Sequence, residues 1–156
     1  TGAVGVMRRD PMAMKTFCGF YFPDYFAHWL SFDKPGAKLP KIFHVNWFRK
    51  GDDGKFLWPG FGDNLRVLEW IVGRVDGTAD AVNTPIGAVP RPGDIKLDDV
   101  HLSDEARDKL FGFDRQAWCS EVDGIGAYLD DYGPRMPDAL RAEQRRIADA
   151  LARSPA

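Results

Sequence analysis

At 156 residues, 44% of them apolar, the chain is long enough for one domain with a sizeable core and too apolar for a disordered tail. Its 21 basic and 23 acidic side chains leave a formal net charge of -2, which excludes a global attraction to nucleic acid or anionic membrane, so any anion site must be local. Apolar stretches are broken by charge well short of a bilayer-spanning length, and the first residues lack the basic, hydrophobic and small-residue progression of a secretion signal, so a cytoplasmic protein is expected.

The opening TGAVGVMRRDPMAM suits a strand leading to a turn at Asp10 and Pro11; without an initiator methionine it reads as mid-segment, as in an excised piece of a longer polypeptide. Cys18 and Cys119 form no CxxC or Cys/His array, which points to free, buried or partly buried thiols. After Pro23 and Asp24, YFAHWLSF places Phe26, Trp29 and Leu30 on one face of a short buried helix that ends near Lys34-Pro35-Gly36. KIFHVNWF then changes period: Phe43, Val45 and Trp47 alternate with their neighbours, which predicts a strand covered on both faces. RKGDDG is a polar turn, and FLWPGFG is too aromatic for an ordinary exposed loop.

Beyond Asp63, the residues Leu65, Leu68, Ile71, Val72 and Val75 predict the apolar face of a helix, with Asn64 placed as its N-cap. Residues 77–92 read as loop and short extended chain whose prolines exclude a central strand. A helix begins at Leu102-Ser103-Asp104-Glu105, with acids in its first turn. Another runs from Asp114 to about Leu129 on Trp118, Val122, Ile125 and Leu129, with Gly124 and Gly126 weakening it locally. The last, after Pro137, has a narrow face of Leu140, Ile147, Ala148 and Leu151. The chain therefore reads as α/β, with a mainly helical end over 102–153.

The densest chemical signal lies between Trp47 and Asn64. Phe48, Phe56, Trp58 and Phe61 are rigid apolar groups on a glycine-rich loop, and an adjacent Asn can donate and accept, a combination that suits a planar base. Two readings stand at this point: a base pocket, or aromatics that plug a core beside a helix-capping Asn64. The two roles of the Asn64 side chain compete. Elsewhere, Arg8 and Arg9 read as a surface pair or solvated turn, and Arg49, Lys50 and Lys55 as a solvated loop. His28 and His44 are read as structural, and His101 lacks a sequence neighbour that would make it a base.

The run Lys38 to Lys50, LPKIFHVNWFRK after its first lysine, followed by Gly54 to Gly62, GKFLWPGFG, resembles the GTP-dependent phosphoenolpyruvate carboxykinase family. Asp63-Asn64 and Arg66 to Trp70 continue the likeness. Asp10 to Met14 followed by Phe17, Ala27 to Leu30, and Thr84 to Gly87 add to it. The resemblance covers essentially the whole chain and weakens after about Leu97.

The resemblance implies the C-terminal part of an α/β nucleotide-binding domain over residues 1–156, with a guanine pocket around 47–64. Phe48, Phe56 and Phe61 would enclose the guanine ring, Asn64 would hydrogen-bond its polar edge, and Trp47 would support the pocket. Phe17 would stand near the small-acid substrate, oxaloacetate or phosphoenolpyruvate, although a core role is nearly as good a reading. Trp58 is as readily a loop brace as a nucleotide contact. The intact enzyme would be a monomer converting oxaloacetate and GTP to phosphoenolpyruvate, CO2 and GDP, reversibly, with Mn2+ and Mg2+. The metal ligands, phosphate loop and catalytic groups would belong to an upstream portion, so no catalytic or metal residue is expected here and this segment alone is expected to be inactive. A non-catalytic guanine-nucleotide module and a purely structural domain are the alternatives. Two positions depart from the family pattern: Asp63 stands where Glu is usual, and Cys18 where animal members carry an aromatic.

Overall fold

The computed structural model describes residues 9–10 and 14–153. Two units emerge, one drawn from Thr1–Leu39 with Arg115–Ala156, the other from Pro40–Asp114. Helices dominate both, and a small antiparallel sheet completes a mixed α/β architecture. The expected opening strand falls mostly on residues 1–8 and 11–13, outside the described set.

In the first unit, α1 (Phe22–Leu30) carries Pro23 as its second residue, where a missing N–H costs nothing in the first helical turn. Phe22 and Pro23 are its buried residues; Phe26 and Trp29 are half-buried and Leu30 is exposed, so the helix is covered mainly at its start. Helices α4 (Arg115–Asp130) and α5 (Asp138–Arg153) run antiparallel. The pairing is fixed along its length by Arg115 Nε to the Leu151 carbonyl (2.8 Å), Gln144 Nε2 to the Val122 carbonyl (3.2 Å) and Arg141 to the Leu129 carbonyl (3.2 Å). Val122, Leu129, Met136 and Leu151 are buried in this unit. The helix continues unbroken through Gly124, over which the Arg9 guanidinium lies.

The second unit is organised by α2 (Asn64–Asp76), reached through a single 3-10 turn, Phe61–Asp63. Its buried residue is Trp70, clustered with Ile95 and Leu97 and flanked by Phe43, Trp58, Val67, Ile71, Val100 and Phe111. This corrects the expected helix face. Leu65, Leu68, Val72 and Val75 are exposed, because the face centred on Trp70 offers the larger apolar area and turns those four away. The indole N–H also donates to the Asp80 carbonyl at 3.2 Å, satisfying its one polar atom.

Strands β1 (Val82–Thr84) and β2 (Gly87–Val89) pair antiparallel, Val82 with Val89 and Thr84 with Gly87, around Pro85 and Ile86. Pro85 thus stands at the hairpin tip, and Pro90 and Pro92 follow β2, so none of them lies inside the ladder. Helix α3 (Asp104–Phe111) starts as expected, its Ser103 hydroxyl accepting from the Ala106 N–H at 3.1 Å.

The expected strand at Phe43–Trp47 does not form. Residues 41–46 carry no regular structure: among the described residues no neighbouring backbone pairs with them, and a strand is defined by such a neighbour. The alternation survives in part: Phe43 packs on Trp70 (6.2 Å, 81°) and Trp47 is half-buried, while Ile42 is 92% exposed.

Leu97 is 2% exposed within the Trp70 cluster, and truncating such a residue removes transfer energy and leaves a cavity. Leu97→Ala is expected to destabilise this unit by about 2–5 kcal/mol, read from urea unfolding followed by tryptophan fluorescence; a loss below about 1 kcal/mol would mean the cluster is not its core.

Candidate nucleotide site

The loop that follows Trp47 folds back on itself. Leu57 N–H donates to the Arg49 carbonyl (2.8 Å), Gly51 N–H to the Lys55 carbonyl (2.9 Å), and Lys50 and Phe56 form an antiparallel bridge. Residues adjacent across a bridge share a side, and Phe48 therefore meets Phe56 edge-to-face at 5.8 Å and 65°. The Lys50 ammonium stands 5.5 Å from the Phe56 ring centre. Lys55 is fully solvated, 3.7 Å from Asp53, as a charged turn predicts.

Leu57 turns inward and is buried, and Trp58 is half-buried against Trp47 at 5.6 Å and 50°. Gly60 then adopts φ 153° and ψ -179°, a conformation that L side chains rarely take, and this sets the direction of Phe61. Phe61 is 91% exposed, Phe48 70% and Phe56 57%. Three phenylalanines with faces in solvent within one loop are an apolar surface that packing inside this unit does not explain, the usual mark of a contact site.

Asn64 resolves the conflict between capping and reading. It is not the N-cap but the first residue of α2, and its backbone N–H donates to the Phe61 carbonyl. Its side-chain Oδ1 accepts from the Trp58 indole N–H at 2.8 Å. Asp63 occupies the cap position, yet its carboxylate makes no cap bond because Arg66 Nε holds Oδ1 at 2.8 Å. A continuous series of contacts and peptide neighbours thus joins Phe56, Phe48, Trp47, Trp58, Asn64 and Phe61.

The comparisons decide the family. The model of the phosphoenolpyruvate carboxykinase C-terminal P-loop domain matches residues 1–150. The chain belongs to the GTP-dependent phosphoenolpyruvate carboxykinase family. Relatives named phosphoenolpyruvate carboxykinase (GTP) include those of Renibacterium salmoninarum, 46% identical over 152 residues, and Chlamydia pneumoniae, 47% over 152 residues; each alignment covers 96% of this chain and 25% of the relative. That of Neocallimastix frontalis is 50% identical over 156 residues, covering 96% of this chain and 26% of the relative. The chain spans about a quarter of the length of the curated relatives it matches.

Phe17 lies in the first unit, 86% exposed on a turn whose N–H donates to the Met14 carbonyl at 2.9 Å, so it is not a core residue there. Arg8 lies outside the described residues, while Arg9 pairs with Glu121 at 3.0 Å. Near Arg9 is an open hollow of about 570 Å3, lined also by Asp10, Lys15, Thr16, Tyr128 and Asp131. Lys15 stands 5.2 Å from the Tyr128 ring centre and 5.3 Å from that of Tyr132. Burial, then the Tyr132 hydrogen bond, pushes the Tyr128 hydroxyl well above its ordinary value, so it stays protonated. Sequence reasoning passed over Lys15 because an isolated lysine carries no pattern; only the fold sets it over two tyrosines.

His28 is exposed and leans on Phe32 at 4.9 Å; His44 and His101 are exposed. Among the described residues no three His, Cys, Asp or Glu side chains converge to hold a metal ion. Cys18 and Cys119 are free and half-buried.

Arg66 enters the sequence reading only as part of the family-like run, and it ties the site together. Beyond Asp63 it forms a two-point bridge to Asp99 (2.7 and 2.9 Å) and donates to the Lys96 carbonyl (2.8 Å), joining the Phe61–Asn64 turn to the loop that carries Leu97. The hydrogen bonds from Arg66 hold the Asp99 carboxyl below the ordinary range, and Asp99, then Asp63, raise Arg66 further above its own. A folded value below the unfolded one means the clamp's contribution is complete above the ordinary carboxylate pKa of about 4 and is lost as pH falls through Asp99's own value. Titrating Asp99 by carbon NMR is expected to give a midpoint below about 3.9, returning toward that value in Arg66→Gln. Equal midpoints in both proteins would show that no clamp exists.

Proposed function

We propose that this chain supplies the guanine-recognition part of an enzyme that converts oxaloacetate and GTP to phosphoenolpyruvate, CO2 and GDP, reversibly. The observation that carries the reading is the exposure of Phe48, Phe56 and Phe61 on one loop, next in the chain to an Asn64 whose side-chain amide is held by Trp58. The rings would receive the purine faces, and Asn64 its polar edge. Trp47 supports this arrangement from beneath, through Trp58.

In the reaction so proposed, the bond between the methylene carbon and its carboxylate breaks and leaves an enolate. The enolate oxygen forms a bond to the γ-phosphorus as the bond from that phosphorus to the β-bridging oxygen breaks, releasing GDP. The guanine pocket lies remote from the breaking bonds, and its task is to position the nucleotide. Family resemblance also implies Mn2+ and Mg2+, but the described side chains do not fit a metal, so their ligands would come from the remaining three quarters of the polypeptide, and no step is assigned to them here. That upstream portion would be this chain's partner, and Phe17 is proposed near the small-acid substrate.

Base stacking on an aromatic ring is worth about 1–3 kcal/mol, roughly 5- to 150-fold in affinity. Phe48→Ala and Phe61→Ala in the full-length enzyme are therefore expected to raise KM for GTP about tenfold or more, with a smaller effect on kcat. Initial rates of phosphoenolpyruvate formation check this. Unchanged KM in both variants would remove the pocket assignment and favour a structural role for these rings.

A further inference from the structure

We infer that Trp58 is a specificity-positioning residue: its indole N–H fixes the orientation of the Asn64 amide and so makes Asn64 a hydrogen-bond donor to the base. This rests on the pocket proposed above and deepens it. An asparagine amide can present either its carbonyl or its NH2 group, and the two ends are nearly the same size, so a free Asn discriminates poorly between keto and amino bases. An indole N–H can only donate. Trp58 Nε1 lies 2.8 Å from Asn64 Oδ1 in a half-buried setting, and turning the amide over would set two donors against each other there.

The other degrees of freedom are also restrained. The Asn64 backbone is tied to the Phe61 carbonyl and enters α2, while the Trp58 ring is packed on Trp47. With Oδ1 committed, Nδ2 is the end left for a ligand, and among the described residues it donates to no other group. A purine carrying an acceptor at its 6-position, guanine or hypoxanthine, meets this donor. Adenine carries an amino group at that position and would place donor against donor. The indole therefore converts an ambiguous reader into one that selects 6-keto purines, without touching the nucleotide itself.

The test uses the full-length enzyme with GTP, ITP and ATP as nucleotide substrates. Trp58→Phe keeps the ring packing and removes the donor. It is expected to lower the ratio of kcat/KM for GTP over ATP by about tenfold or more, with most of the change in KM. ITP should fall alongside GTP, since it keeps the 6-keto group. The effect should vanish in an Asn64→Ala background, because the two residues act as one unit. Asn64→Asp gives a second readout that needs no change to Trp58: it retains an acceptor for the indole but presents an acceptor outward, so it should weaken GTP more than ATP.

Failure separates cleanly. If Asn64→Ala lowers the GTP preference and Trp58→Phe does not, or if Trp58→Phe weakens all three nucleotides equally, the positioning role is overturned and the pocket stands. Should neither Asn64→Ala nor Asn64→Asp change the preference, the pocket reading and this inference fall together.

Discussion

The packing of Trp70 against Phe43, Ile95 and Leu97 is the constraint on which the candidate site depends. It sets the rotation of α2 about its own axis, and α2 begins at Asn64. A helix advances about 100° per residue, so anchoring Trp70 also fixes the azimuth of every residue in the first turn. The Asn64 side chain thereby comes within reach of the Trp58 indole, and Arg66 within reach of Asp63 and Asp99. The hydrophobic core acts here as a positioning device for polar groups, with rigidity supplied by close packing.

Around that anchor the polar residues divide their work. Arg66 carries the turn-to-loop connection, and by occupying the Asp63 carboxylate it prevents that residue from capping α2. Asp63 and Arg66 stand three residues apart, so this contact closes within one helical turn. Asn64, which is not the cap, turns its side-chain oxygen to the Trp58 indole. Charged groups on the loop itself stay in water: Lys55 pairs loosely with Asp53, and Lys50 stands over Phe56. The loop therefore exposes the rings of Phe48, Phe56 and Phe61 with the Lys50 ammonium beside them.

Much of the architecture was legible in the residues. Helices α2 to α5 follow from apolar spacing, from the acids in the first turn of α3 and from Pro137 ahead of α5, all of which act within one or two turns. The family could be read for a related reason: an ordered aromatic string such as GKFLWPGFG is a local property. What misled was anything that required a neighbour. Phe43 to Trp47 has strand periodicity, yet pairing needs a second backbone, and among the described residues none runs beside it. Leu65, Leu68, Val72 and Val75 form a sound helical stripe, yet a helix with two apolar faces leaves the choice between them to what packs against it.

The sequence by itself determined the helical segments, the loop and short extended character of residues 77–92, the family, and the set Trp47, Phe48, Phe56, Phe61 and Asn64 as the group to watch. Tertiary structure alone decided that Asn64 bonds to Trp58 instead of capping its helix, that Arg66 clamps residues 30 and 33 positions away, and that Lys15 lies over Tyr128 and Tyr132. The division has one physical cause. Periodicity, capping and turn chemistry depend on residues a few positions apart, whereas hydrogen bonds from flexible side chains depend on which distant backbone the core brings within about 3 Å.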